Sequence, residues 1–243
     1  MTTATFVRTS ARRRDVGALS GVLYALFFVA SLVAIATLGP SGTVTPYSSD
    51  AEVQAYRLKD AATLEDLFRL LGLLQGLSAL ALLAFVPWLT AFVRRYGSDT
   101  RADAVRVLAT VAGTLLLLSA GSSWVLAQIG SRAQLSTYRA VSDLSFITGA
   151  APAMATLGVA VFLVAATGRA GHALPAWIAW SGMVIGAAGV LSMSSLVAEA
   201  GSVFIPLGRF LGFAWFAALS VLLWRRGGRT EDLTGSSTTS RDH

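Results

Sequence analysis

Residues 203–224 read VFIPLGRFLGFAWFAALSVLLW, and this run decides the class of fold. It is long enough to cross the hydrocarbon core of a bilayer as one α-helix, which needs about 20 predominantly apolar residues. It also carries Arg209 a few residues inside one end, where a charged side chain needs a partner or a route to water. The run therefore predicts a membrane-spanning helix and makes the partner of Arg209 the first question about its structure.

The whole chain has the composition of a membrane protein. Of its 243 residues, 54% are hydrophobic and 13% are charged, whereas soluble domains have about 25% charged residues. The net charge of +6 comes from arginines that flank apolar runs, which indicates orientation in a membrane rather than nucleic-acid binding. Cysteine is absent and the histidines are His172 and His243, so neither a metal site nor a cofactor is expected.

Six apolar runs of spanning length follow one another along the chain, at residues 16–38, 67–93, 105–128, 141–166, 174–198 and 203–224. They predict an all-α fold, a single polytopic transmembrane bundle of six helices over residues 16–226. A basic segment, residues 1–15, precedes it, and the Gly-, Ser- and Thr-rich residues 227–243 are expected to form a disordered tail. A cleaved signal peptide is an alternative for the first run, although that run is long for one.

The positions of Lys and Arg orient the bundle. Six spans place thirteen of the nineteen on one side: Arg8, Arg12, Arg13, Arg14, Arg94, Arg95, Arg101, Arg106, Arg169, Arg225, Arg226, Arg229 and Arg241. Because Lys and Arg accumulate in cytoplasmic segments, both termini are predicted to be cytoplasmic. The chain is accordingly expected to be a multi-pass protein of the cell membrane. Residues 39–63 then form a long external loop, either a surface connection or a lid, in which Ser49 and Glu52 predict a capping box.

Unusual polar side chains occur at the external ends of the predicted helices. The candidate polar cluster consists of Arg69, Gln128, Asp143, Ser195, Glu199 and Arg209. Arg209 is expected to pair with Glu199 across a tight turn, or otherwise with Asp143. The simpler interpretation is a set of ion pairs that clip helix ends together. The alternative is a small polar cavity open to the outside, lined by this cluster, the hydroxyls of the third run and a helix break at Pro152.

Catalytic motifs are absent from the sequence, since it contains no HExxH, GxSxG or Walker pattern. The expected function is therefore a non-enzymatic accessory or envelope-sensing membrane protein that works through helix contacts. A small-molecule transporter or exporter that uses the external cavity is the alternative, and a membrane-embedded enzyme acting on lipid comes third. The expected partners are membrane lipids and either another membrane protein or a second copy of the chain, without nucleic acid.

Three segments of the chain resemble a known family. They are residues 67–72 (LFRLLG), 146–150 (FITGA) and 173–186 (ALPAWIAWSGMVIG). They are similar to a family of uncharacterised six-helix bacterial membrane proteins, abundant in actinobacteria and of the domain-of-unknown-function type. The resemblance covers roughly residues 16–226 and departs at Ala176 and Ala179, where the family pattern has a basic residue and a glycine. It implies an integral membrane location and six helices, and it supplies no known activity.

Overall fold

The computed structural model describes residues 16–39, 44–59, 61–130 and 132–227, and this part of the chain is helical without any strand. Its α-helices are α1 (Ser20–Leu38), α2 (Asp50–Lys59), α3 (Ala61–Tyr96), α4 (Asp99–Ile129), α5 (Leu135–Gly149), α6 (Ala151–Ala170), α7 (Ala176–Leu191) and α8 (Phe204–Gly227). Short 3-10 helices at Val16–Leu19, Ser192–Leu196 and Glu199–Val203 extend α1, α7 and α8. The predicted basic segment and nearly all of the predicted tail lie outside the described residues.

Within the described residues, six helical stretches are long and apolar enough to cross a membrane: Gly17–Leu38, Ala61–Tyr96, Asp99–Ile129, Leu135–Ala170, Ala176–Leu196 and Glu199–Arg225. This confirms the predicted all-α bundle of six transmembrane helices. The side on which the termini lie and the identity of the membrane stay predictions. We call the end of the bundle that carries α2 the outer end, after its predicted orientation, and the opposite end the inner end.

The fourth span is interrupted near its middle. Its outer half, α5, ends at Gly149 and its inner half, α6, begins at Ala151, while Ala150 between them has φ −104° and ψ −106°, outside the helical region. Pro152 lies in the first turn of α6, where its missing N–H is tolerated. A Cβ atom on Gly149 would collide with the Ser119 hydroxyl, so α5 approaches α4 closely here. The helix break expected at Pro152 is confirmed.

Side chains fill the half of the bundle nearer the inner end. The α3/α4, α6/α7 and α1/α3 pairs form the largest helix contacts. The large side chains that are fully buried between α1, α3 and α8 are Leu82, Phe85, Leu89, Phe216 and Leu219. Tyr24 contacts Phe213 and Phe216 edge-on, with ring centres 5.4 and 5.2 Å apart. These contacts form a dense aromatic and aliphatic core below the middle of the bundle.

Residues 44–59, which we call the strap, contact two sides of the outer end. The Tyr47 hydroxyl donates to the backbone oxygen of Ser195 at 2.5 Å. On the other side, Arg139 of α5 donates to the Ser48 carbonyl at 2.8 Å and pairs with Asp50. The strap is thus a surface connection held in a defined position at the outer end.

The predicted capping box starts α2 within the strap. The Ser49 backbone N–H donates to the Glu52 carboxylate at 2.7 Å, and the Glu52 N–H donates to the Ser49 hydroxyl at 3.3 Å. The hydrogen bond from the Ser49 backbone and a second one from its hydroxyl lower the pKa of Glu52 below its ordinary value of 4.5. The sequence therefore predicts the start of this helix correctly.

Candidate functional site

The predicted polar cluster is divided among separate places at the outer end. Arg69 forms salt bridges within α3, with Asp66 at 3.0 Å and with Glu65 at 3.8 Å. Asp143 lies 3.8 Å from Arg139, one turn earlier on α5. Each of these pairs lies within one helix, where such a pair contributes roughly 0.2–0.5 kcal/mol. The expectation that they clip different helices together is therefore wrong.

The other members of the cluster are also apart from one another. Gln128 and Glu199 are exposed. Ser195 is buried, and its hydroxyl has no hydrogen-bond partner in the described residues. The described residues enclose a cavity between α1, α3, α4, α5 and α8, and of the candidate cluster only Arg209 lines it. The predicted residues therefore do not form one site.

The expected pairing of Arg209 with Glu199 or Asp143 is also wrong. No carboxylate of the described residues forms a salt bridge with Arg209. Its Nη2 atom donates instead to the backbone oxygen of Gly149. Its guanidinium also lies 4.9 Å from the centre of the Phe28 ring, at cation–π distance. Because Gly149 ends α5, the charge is received by the negative end of a helix dipole rather than by an acid.

A cavity of about 230 Å³, which we call the Arg209 cavity, lies between α1, α3, α4, α5 and α8. It follows α4 from Leu126 to Leu116, ten residues that span roughly 15 Å of helix. Val44 of the strap and Ile205 line the part nearest the outer end. The cavity therefore reaches from the outer end to the level of the break between α5 and α6.

Serine hydroxyls from α4 and α5 form a polar part of the lining. Ser119 donates to the backbone oxygen of Ser145 at 2.8 Å, and the Ser123 and Ser145 hydroxyl oxygens are 3.3 Å apart. Ser142 and Gln75 also line the cavity, and their side chains have no hydrogen-bond partner within the described ranges. Hydroxyls of the third run and the helix break thus line the cavity, as the alternative interpretation of the sequence expects, but of the predicted cluster only Arg209 does so.

The remaining lining of the Arg209 cavity is apolar and includes Phe28, Phe68 and Phe146. A second cavity of about 20 Å³ is also lined by Arg209, beside Gly208 and Gly212, and is large enough to hold a single water. In the described part of the chain, the aromatic core fills the bundle between this level and the inner end. The Arg209 cavity therefore has the form of a pocket that ends near the middle of the bundle.

The lining determines what the Arg209 cavity can do chemically. It presents one guanidinium, four serine side chains from α4 and α5, and one amide. No carboxylate of the described residues lines it. It can therefore donate hydrogen bonds to a polar or anionic group, but neither Asp143 nor Glu199 lines it to serve as an acid or a base.

Sequence reasoning missed Gln75, Ser142 and Ser145. The polar residues of α5 did carry a signal, because Ser142, Ser145 and Gly149 recur at spacings of three and four and so share one helix face. Gln75 also carried one, since it is an amide inside an apolar run. Phe28 could not be found in this way, because it is an aromatic residue in a run of apolar residues.

No protein-family model, curated protein or solved structure matches this chain. The resemblance to the actinobacterial membrane-protein family therefore stays a prediction.

Proposed function

We propose that this chain is a non-enzymatic, envelope-sensing protein of the cell membrane that binds a small polar ligand in the Arg209 cavity. One observation supports this most directly. The Arg209 guanidinium lies on the wall of a cavity of about 230 Å³, and no carboxylate of the described residues lines that cavity. A charge within a membrane-spanning segment is costly and commonly marks a ligand or ion pathway. Sensing requires a ligand to enter and leave without chemical change, and this lining fits that requirement.

The strap connects such a site to the outside of the bundle. Val44 lines the cavity, while Tyr47 and Asp50 of the same segment are held by the 3-10 helix Ser192–Leu196 and by α5. A ligand that contacts Val44 would therefore act on the strap. A membrane-protein partner that contacts the strap could then distinguish the ligand-bound cavity from the empty one. The proposed partners are membrane lipids together with another membrane protein or a second copy of the chain.

A transporter or exporter is the second candidate, and one observation favours it. The Arg209 cavity reaches the level of a broken helix near the middle of the bundle, where transporters commonly bind their substrates. Transport also requires the site to open towards the inner end, and that half is filled by buried side chains such as Phe85 and Phe216. Sensing needs no such rearrangement, so we rank it first. An enzyme acting on lipid ranks last, because no carboxylate or histidine of the described residues lines the cavity.

The proposal can be tested by blocking the cavity. Ser142→Phe would place an aromatic ring in the space without removing any hydrogen bond of the described residues. Thr114→Leu is the control, because Thr114 is exposed on α4 and its hydroxyl only bonds the Thr110 carbonyl of its own helix, at 3.0 Å. Both variants and the wild type would be purified from membranes and their bound small molecules extracted and compared by mass spectrometry.

We expect a small molecule that co-purifies with the wild type and with Thr114→Leu but is depleted in Ser142→Phe. Equal thermal unfolding of the three proteins would show that the fold is intact. Identical small-molecule profiles for the wild type and Ser142→Phe would overturn the proposal. Uptake of that molecule into vesicles containing the wild type, abolished by Ser142→Phe, would favour the transporter over the sensor.

A further inference from the structure

The charged and polar groups of the Arg209 cavity indicate the class of ligand, an inference that rests on the proposed function. A guanidinium carries five N–H donors in a planar fork and no acceptor. One donor of Arg209 is used by the Gly149 carbonyl, while its Nε atom is buried and has no partner in the described residues. A buried donor without a partner costs free energy that a suitable acceptor would recover. The cavity wall therefore offers donors to a ligand oxygen.

The break in the fourth span adds a second source of positive potential. α6 begins at Ala151 and runs towards the inner end, so its N-terminus points towards the outer end, where Ala150 lines the cavity. No side chain in the described part of the chain caps this N-terminus. Helix N-termini favour anions through their free N–H groups and their dipole. The adjacent C-terminus of α5 has the opposite sign, but its Gly149 carbonyl already interacts with the Arg209 guanidinium.

Neutral groups complete the set of hydrogen-bonding partners. The Ser142 hydroxyl and the Gln75 amide line the same cavity, and neither has a partner among the described residues. Both can donate to an oxyanion. No described carboxylate lines the cavity, so no negative side chain there would repel an anion.

The volume of the cavity limits the size of the bound group. At about 30 Å³ for each water-sized group, a cavity of about 230 Å³ holds roughly eight non-hydrogen atoms. That is enough for a phosphate with a few carbon atoms and too little for an entire lipid. Phe68 and Phe146 provide apolar lining for such carbon atoms.

We propose that the Arg209 cavity binds an oxyanion of the phosphate type, with the Arg209 guanidinium and the N-terminus of α6 as its main partners. The oxyanion is either free or the head of an amphiphile whose chain leaves the cavity. On binding, the Arg209 guanidinium donates to the ligand oxygens as well as to the Gly149 carbonyl.

The experiment uses the absence of cysteine in the natural chain. Ser142→Cys places a thiol on the cavity wall, and Ala55→Cys places one on an exposed position of α2 as the control. The rate of alkylation by a water-soluble maleimide would be measured in detergent without ligand and with each of three probes. The probes are octyl phosphate, octyl glucoside and inorganic phosphate, of which the first two share a chain and differ in head charge.

We expect saturating octyl phosphate to slow alkylation of Ser142→Cys by at least about tenfold, because at that concentration few cavities remain empty. Octyl glucoside is expected to have little effect, and Ala55→Cys is expected to react equally with every probe. Equal protection by inorganic phosphate would assign the site to the free anion, and protection by octyl phosphate alone would assign it to an amphiphile head.

Arg209→Gln in the Ser142→Cys background is expected to lose the protection, while Arg209→Lys, which keeps the charge, retains part of it. If Arg209→Gln does not fold, Ser142→Cys with Arg209 intact still tests the inference, because octyl phosphate and octyl glucoside can be compared on it. Equal protection by octyl glucoside and octyl phosphate would overturn the oxyanion inference but leave ligand binding intact. Absence of protection by every probe would also overturn it, whereas the proposed function fails only on the co-purification test.

Discussion

The crossing of α6 and α7 depends on glycines, and one added methyl group there is expected to destabilise the protein. A Cβ atom built on Gly158 lies 2.7 Å from the Gly186 carbonyl oxygen and 3.0 Å from the Gly189 Cα atom. Both are backbone atoms, which cannot rotate away as a side chain can. Since ordinary contacts begin at 3.4 Å, Gly158→Ala has to move the two helices apart by about 0.7 Å.

The size of the effect follows from two opposing contributions. Overpacking a close-packed interior costs about 1–3 kcal/mol, whereas replacing Gly by Ala within a helix contributes up to about 1 kcal/mol of stability. We expect Gly158→Ala to lose about 1–2 kcal/mol of unfolding free energy as the net result. Gly121→Ala on α4 is the matched control, because a Cβ atom there meets no atom of another described element within 4 Å. The control is expected to be as stable as the wild type or slightly more stable.

The assay is reversible unfolding of the purified protein by SDS in mixed micelles, followed by circular dichroism. A double variant, Gly158→Ala with Gly186→Ala, should lose less than the sum of the two single losses, because one separation of the helices relieves both collisions. The reasoning would be refuted if Gly158→Ala were as stable as Gly121→Ala, since the helices would then have room for a methyl group.

Three further predictions concern the outer end and the orientation of the bundle. Because the pKa of Glu52 is lowered in the folded protein, Glu52 stabilises α2 above about pH 4.5, and this stabilisation is lost as the pH falls through the folded pKa. Hydrogen exchange of α2, corrected for intrinsic rates, should show the loss in the wild type and not in Glu52→Gln. Arg139→Gln should speed chymotrypsin cleavage of the strap about tenfold, since hydrogen bonds from charged groups contribute about 1.5–3 kcal/mol. Arg132→Gln, at an exposed position, should leave the cleavage rate unchanged. Equal cleavage rates for the two variants would exclude Arg139 as the residue that holds the strap. An impermeant thiol reagent should label Ala55→Cys but not Thr100→Cys in intact cells, and the reverse pattern would invert the predicted orientation.

Local and periodic features were readable from the sequence. The six spans follow from the length and hydropathy of each run, because a bilayer sets a minimum apolar length for a helix. The capping box at Ser49 and Glu52 and the break at Pro152 depend on residues close together in the chain, and both are confirmed.

The partner of Arg209 was decided only by the tertiary structure. Sequence spacing places Arg209, Asp143 and Glu199 at the same end of the bundle, but it does not say which face of each helix is turned towards which neighbour. The sequence argument therefore looked for an acid, since carboxylates are the conspicuous partners of arginine. A backbone carbonyl exists at every residue, and only the break after Gly149 together with the approach of α8 makes one of them available. The Arg209 cavity arises for the same reason, because its polar groups come from separate helices that meet only after the bundle has formed.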